Sequence, residues 1–327
     1  MERLKENKMS SNQFKSKKNL DPLKFKHPLF TANGDRRADV SLTKLRTLWF
    51  NTGSLCNITC QNCFMESSPT NNRLAYLTLA EVESYLFEIE AETLGVEEIA
   101  FTGGEPFMNQ DLIDMMDVAL RKGYRVLVLT NAMKPLLNKK HLLSDLLEKH
   151  SSNIKLRVSI DHFTQIKHET VRGVGSWVPM LEGLRWLSEI GANMTVAGRN
   201  CWNERELDTR KGYFDLFANE KIAINANDPA DLILFPEMDS TADVPEITTH
   251  CWDILKVTPE SLMCATSRMI VKHRGADRTS IMPCTLLPYD PVFELGKNLV
   301  TANKTVQLNH PHCAKFCVLG GATCSTD

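Results

Sequence analysis

Three cysteines fall within eight residues at 56 to 63, CNITCQNC, and Phe64 follows at once. The spacing C-x3-C-x2-C gathers three thiols in one short loop, as a compact inorganic centre requires. A structural zinc ion normally takes four ligands in a closed tetrahedron, and the next cysteine along the chain is Cys201. Nothing local closes such a site. A four-iron cluster usually takes four cysteines, so three protein ligands leave one iron open to a substrate or cofactor. The missing fourth ligand is then the functional part.

Six more cysteines follow late in the chain, at 251, 264, 284, 313, 317 and 324. They lie among turn-forming Pro and Gly with weak periodicity, and a small domain with a thin core commonly relies on a metal. The N-terminus lacks the apolar core of a secretory signal, so the chain is expected in the cytoplasm. There, ten cysteines serve better as metal ligands than as disulfides. Net charge near −2 gives no reason to expect nucleic acid or an anionic membrane as partner.

The elements that position these residues alternate. Residues 1–40 are polar and lysine-rich and read as a flexible or surface-draped arm. From Leu45 onward apolar strands (LRTLWFNTG, EEIAFTGG, YRVLVLTNA, IKLRVSID, ANMTVAGRN, DLILFPEMD) alternate with amphipathic helices, the first opening on Thr78 and Glu81 in capping-box spacing. This order predicts an α/β fold with a parallel sheet covered by helices. Strand ends carry Cys56, Gly103 and Gly104, Thr130 and Asn131, Ser159 and Asp161, and Arg199, where parallel folds place their active sites. His162, His168 and Arg172 fall in what reads as a solvated polar loop. Trp177, Trp186 and Leu187 read as helix packing residues, Cys201 as a small buried hydrophobe, and Cys251 as part of a short helix. SLMCATSRMIVKHRGADRTSIMPC predicts a hairpin with Gly275 near its turn, flanked by Cys264 and Cys284.

The cysteine loop resembles the signature of the radical S-adenosylmethionine (SAM) enzymes, with Asn62 where an aromatic residue is usual and Phe64 one place later. TGGEP at 102–106 and SID at 159–161 are similar to that family's second and ribose-binding motifs. The resemblance covers roughly residues 45–240 and implies a partial (β/α)6 TIM-type barrel over 41–242. It implies that Cys56, Cys60 and Cys63 hold a [4Fe-4S] cluster, that SAM chelates the open iron, and that a 5′-deoxyadenosyl radical abstracts substrate hydrogen. Gly103, Gly104 and Glu105 would meet the SAM methionine, Ser159 and Asp161 its ribose, and Arg199 its carboxylate unless it serves as a structural ion-pair partner. An electron donor such as flavodoxin or ferredoxin is implied.

Residues 243–327 are similar to the auxiliary-cluster extensions called SPASM and Twitch, although C-x3-C stands here where C-x2-C is usual. One auxiliary [4Fe-4S] cluster would take Cys264, Cys284, Cys313 and Cys317, with Cys324 as substitute. A zinc site using His310 or His312 is the alternative. The substrate would be a small metabolite or a peptide, with an oxidative outcome. A non-catalytic iron-sulfur or zinc protein, acting as redox sensor or scaffold, is the competing class.

Overall fold

A computed structural model describes residues 19–237 and 239–321. Cys324 and the first 18 residues of the predicted arm lie outside the described residues. The strands are β1 (Asp39–Val40), β2 (Thr47–Asn51), β3 (Glu98–Thr102), β4 (Arg125–Thr130), β5 (Ile154–Ser159), β6 (Met194–Asn200), β7 (Leu232–Pro236), β8 (Ser267–Val271), β9 (Ser280–Met282) and β10 (Val306–Gln307). The helices are α1 (Leu79–Ala91), α2 (Leu112–Arg121), α3 (Lys134–Leu137), α4 (Lys140–His150), α5 (Gln165–Arg172), α6 (Trp177–Glu189), α7 (Glu206–Glu220) and α8 (Cys251–Leu255). Among the described residues no helix is long and apolar enough to cross a membrane.

One mixed sheet holds the molecule together, in the order β7-β6-β5-β4-β3-β2-β8-β9. Strands β2 to β7 pair in parallel and alternate with helices, which is the predicted α/β pattern. β2 and β3 are buried at every position, as strands covered on both faces must be. α1 opens with the predicted capping box: Glu81 N–H donates to Thr78 Oγ1 at 3.3 Å and Thr78 N–H donates to Glu81 Oε2 at 2.9 Å.

Three features depart from the sequence expectations. The hairpin β8–β9 forms, with Gly275 at φ +80° in its turn, but β8 also pairs in parallel with β2, Thr47 opposite Ser267. The sheet therefore runs across the boundary expected at 242/243. Within the arm, the stretch 37–40 is not draped on the surface. β1 pairs with β10, and buried Arg37 donates to the His27 and Phe30 carbonyls and pairs with Glu246. Finally, the loop expected around His168 is helix α5, and His162 and His168 are both fully buried. The last turn of the described chain, Cys313–Val318, winds as a π-helix, and its Phe316 packs on Phe235 of β7 with ring centroids 5.1 Å apart.

Candidate active site

The cysteine loop leaves the C-terminal end of β2 and is pinned from several sides. Cys56 N–H donates to Ser68 O at 3.1 Å, Gln61 N–H to Val171 O at 2.7 Å, and Arg199 Nη1 to Gln61 O at 3.1 Å. Asn62 sits at φ +53°, a left-handed conformation that Asn tolerates better than an aromatic residue. Cys56 is buried, and Cys60 and Cys63 are partly so. Burial, then the Glu105 charge, pushes the Cys56 thiol up to about 12; burial also pushes Cys60 up, against the pull of Arg172. Cys60 feels Cys63 and Cys56 feels Cys60, so the three thiols share one neighbourhood, in which Cys56 and Cys60 resist ionisation. A bound cationic centre reverses that logic by stabilising thiolates, and the donor set fits an iron-sulfur cluster.

The glycine pair at 103–104 lies directly under this loop. Gly104 N–H donates to Gly53 O at 2.7 Å, and Glu105 N–H to Leu55 O at 3.1 Å. Gly103 has φ +148°, and a Cβ there would lie 2.6 Å from Gly53 O. Only glycine allows the approach. Glu105 is buried and accepts from Phe107 N–H at 3.2 Å, Thr130 Oγ1–H at 2.8 Å and Asn131 N–H at 2.8 Å. Burial outweighs these bonds and raises its carboxyl to about 7. Thr130 and Asn131 do more than end their strand. Asn131 Nδ2 also donates to Asn57 Oδ1 at 2.9 Å and lies 3.8 Å from Cys56 Sγ. Asn57 was not singled out in the sequence; its place inside the cysteine signature was the only available sign.

Asp161 is clamped by two guanidinium groups, Arg172 Nε at 2.8 Å and Arg199 Nε at 3.1 Å. Burial opposes ionisation, but Arg172 and then Arg199 outweigh it and hold the carboxyl below its ordinary range. Arg199 thus has the ion-pair role that the sequence left open. Ser159, Asp161, Arg172 and Arg199 line a cavity of about 100 Å³ together with Phe64 and Phe235. His162 Nε2 lies 2.9 Å from Glu204 Oε2, whereas neither ring nitrogen of His168 has a hydrogen-bond partner. Both were expected in solvent. Packing of α5 against α6, with the Trp177 ring 5.3 Å from that of His168, buries His168 instead, while the His162 ring lies 4.0 Å from that of Phe163 and 4.8 Å from that of Trp202.

Cys264, Cys284, Cys313 and Cys317 meet around one small internal cavity, walled also by Leu286 and His312. Burial pushes Cys264 up to about 11 and Cys313 up to about 12, with Cys264 adding to the latter. Cys251, on α8, stands apart and takes Thr248 N–H at 3.3 Å; Cys201 is partly buried just past β6. Among the described residues no three His, Cys, Asp or Glu side chains converge as a single metal ion requires.

Two larger cavities flank these sites. A groove of about 690 Å³ runs between Cys60 and Cys63 on one side and Leu286, Leu287 and His312 on the other. The second, about 720 Å³, opens among the N-terminal ends of β3 to β6, beside Glu98, Arg125, Ile154 and Asn193, away from the cysteine loop.

Residues 50–204, which carry the cysteine loop, the glycine pair, Asp161 and Arg199, match the radical SAM superfamily. Just under half of the chain thus matches that family. The superfamily works with a [4Fe-4S] cluster and SAM. The chain is 29% identical over 160 residues to the antilisterial bacteriocin subtilosin biosynthesis protein AlbA of Bacillus subtilis strain 168, covering 46% of this chain and 33% of that protein. It is 28% identical over 141 residues to GTP 3′,8-cyclase of Haemophilus influenzae strain 86-028NP, covering 42% of this chain and 40% of that enzyme. The matches therefore span well under half the length of these curated relatives. In fold, the chain is similar to Streptococcus suis SuiB bound to SAM (TM-score 0.55, 12% identity, 78% of this chain and 63% of that one). It is likewise similar to anSMEcpe with bound AdoMet (TM-score 0.55, 13% identity, 85% and 84%).

Proposed function

We propose that the protein is a radical SAM enzyme that modifies a peptide, using Cys56, Cys60 and Cys63 as the three protein ligands of its SAM-binding cluster. The observation that carries this reading is the locked pair of motifs. The backbone leading into the three-thiol loop is bonded to the glycine turn through Gly104 N–H to Gly53 O and Glu105 N–H to Leu55 O, which brings the two motifs together. Bound there, the cluster and SAM would supply one-electron reductive chemistry able to take a hydrogen atom from the substrate.

The chain's own residues do the rest. Gly103 and Gly104 hold the loop backbone at close range. Glu105, fixed by Thr130 and Asn131, sets the turn that would face the SAM methionine. Arg172 and Arg199 lend positive charge beside Cys60 and favour its thiolate. Ser159 and Asp161 would lie along the SAM ribose, with Asp161 held in place by its two arginines. Cys264, Cys284, Cys313 and Cys317 would carry one auxiliary [4Fe-4S] cluster, which suits an oxidative outcome by taking an electron from the substrate. The reducing electron would come from a flavodoxin- or ferredoxin-like donor.

A peptide is favoured over a small metabolite by the company the chain keeps: AlbA in bacteriocin biosynthesis, SuiB solved with the precursor peptide SuiA, and anSMEcpe solved with the Cp18Cys peptide. The test is anaerobic reconstitution with iron and sulfide, reduction with dithionite in the presence of SAM, and chromatography for 5′-deoxyadenosine. Wild type should produce it and the Cys56→Ala, Cys60→Ala, Cys63→Ala triple variant should not. A wild type that binds cluster and SAM yet yields none would make the protein a redox sensor or scaffold instead.

A further inference from the structure

A buried cation stands close to the four-cysteine cavity without a carboxylate to answer it. Arg268 lies on β8, four residues after Cys264, and is 1% exposed. Its guanidinium is spent on backbone: Nε donates to Ala302 O at 3.1 Å, Nη1 to Cys264 O and Ser267 O at 2.7 Å each, and Nη2 to Lys304 O at 3.1 Å. These bonds satisfy the donors and leave the charge. Elsewhere in the fold such a charge is matched: buried Arg37 pairs with Glu246, and Arg172 with Asp161. Among the described residues Arg268 has no carboxylate partner, and the groups whose charge it feels are Cys264 and Cys284.

A buried charge without its opposite is costly, so the surroundings of Arg268 call for an anion. The four-cysteine cavity is where one can form. Cys264 and Cys284 meet Cys313 and Cys317 there, and as neutral thiols these four answer nothing. As thiolates around a four-iron core they make a net anion, whose negative charge grows when the core takes an electron.

We propose that Arg268 is the fixed counter-charge of this auxiliary centre, a positioning residue that raises the reduction potential of the cluster held there. The inference rests on the auxiliary-cluster reading and adds the direction in which the protein tunes that cluster, the one an electron acceptor needs. A positive charge in a site closed to water favours the more negative, reduced state with little screening.

The experiment reads the auxiliary cluster by itself. The full chain carrying Cys56→Ala, Cys60→Ala and Cys63→Ala is reconstituted with iron and sulfide, analysed for iron and zinc, and titrated anaerobically with dithionite while electron paramagnetic resonance follows the reduced cluster. Added to that chain, Arg268→Gln should make the midpoint more negative. The reduced-to-oxidised ratio at a fixed potential should fall at least tenfold, which is about 59 mV for one electron. Arg268→Lys keeps a cation but loses the planar fork, and should recover most of that shift. An Arg268 that only ties carbonyls together would leave both midpoints in place or displace both alike, and either result overturns the proposal. Should Arg268→Gln not fold, Arg268→Lys decides by itself, a tenfold displacement overturning the proposal and a smaller one upholding it. An unmoved midpoint at normal iron content strikes the role of Arg268 alone, whereas zinc or no metal at the four cysteines strikes the auxiliary-cluster reading with it.

Discussion

A Cβ on Gly104 would fall 1.9 Å from the Leu55 carbonyl oxygen. That distance joins the glycine turn after β3 to the backbone that leads into Cys56, and it makes Gly104 a spacing element of the cysteine loop. Gly104→Ala must push the loop away and should cost about 1–3 kcal/mol, read as a lower melting temperature together with reduced iron uptake. Gly123, at φ +87° with nothing near its Cβ position, provides the control. Gly123→Ala should lose about 1–2 kcal/mol through backbone strain alone and take up iron normally. Equal iron loss in both variants would remove Gly104 from the site.

The Asp161 clamp predicts a second asymmetry. Arg172→Met leaves a buried carboxylate with Arg199 as its remaining partner, and breaking a buried pair costs about 3–5 kcal/mol; the lower end is expected here because Arg199 stays. Arg172→Lys should recover little, since a lysine cannot reproduce the guanidinium geometry. Urea denaturation gives both values. A fully stable Arg172→Met protein would show that the clamp is dispensable.

His168 predicts a pH dependence. Burial, and then the Arg172 charge, push its ring down to about 4, whereas an unfolded histidine titrates near 6.5. The folded state therefore binds the proton less readily than the unfolded state. The resulting stability is fully present above pH 6.5 and is lost as pH falls through 4, a loss on the order of 3 kcal/mol. His168→Leu should be as stable as wild type at pH 7, because it also removes an unpaired N–H, and should lose less stability between pH 7 and pH 5. Parallel urea midpoints would contradict this.

The four-cysteine cavity predicts an iron count. Replacing Cys284 and Cys313 by alanine should lower reconstituted iron from roughly eight to roughly four atoms per chain, while Cys201→Ala and Cys251→Ala leave it unchanged. Iron unaffected by the first pair would refute the auxiliary cluster.

Much of the architecture was legible because its signals are local. Continuous apolar runs such as TLWFN mark strands buried on both faces, and Thr78 with Glu81 marks a helix start. The four cysteines around the second cavity were legible only through the resemblance to auxiliary-cluster extensions, since the glycine-bearing hairpin itself points to Cys264 and Cys284 alone. Pairing over distance was not. Nothing in SRMIV names β2 as its neighbour, and nothing near Arg37 announces Glu246. Helix α5 escaped because its inward face uses His168 beside Val171, so the buried stripe does not look apolar. The twin grip on Asp161 escaped for the same reason: Arg172 and Arg199 come from different elements, and only the fold brings them to one carboxylate.

The place of β8 beside β2 has a consequence for how the molecule comes into being. Thr47 finds its partner Ser267 about 220 residues later, so during synthesis the strand that carries the cysteine loop waits with one apolar edge uncovered until β8 has emerged. Pairing over such a span is slow and leaves nascent chains open to self-association. A fragment ending at residue 242 would keep every radical SAM motif and would never gain that neighbour, so it should be recovered as aggregate, not as a minimal enzyme.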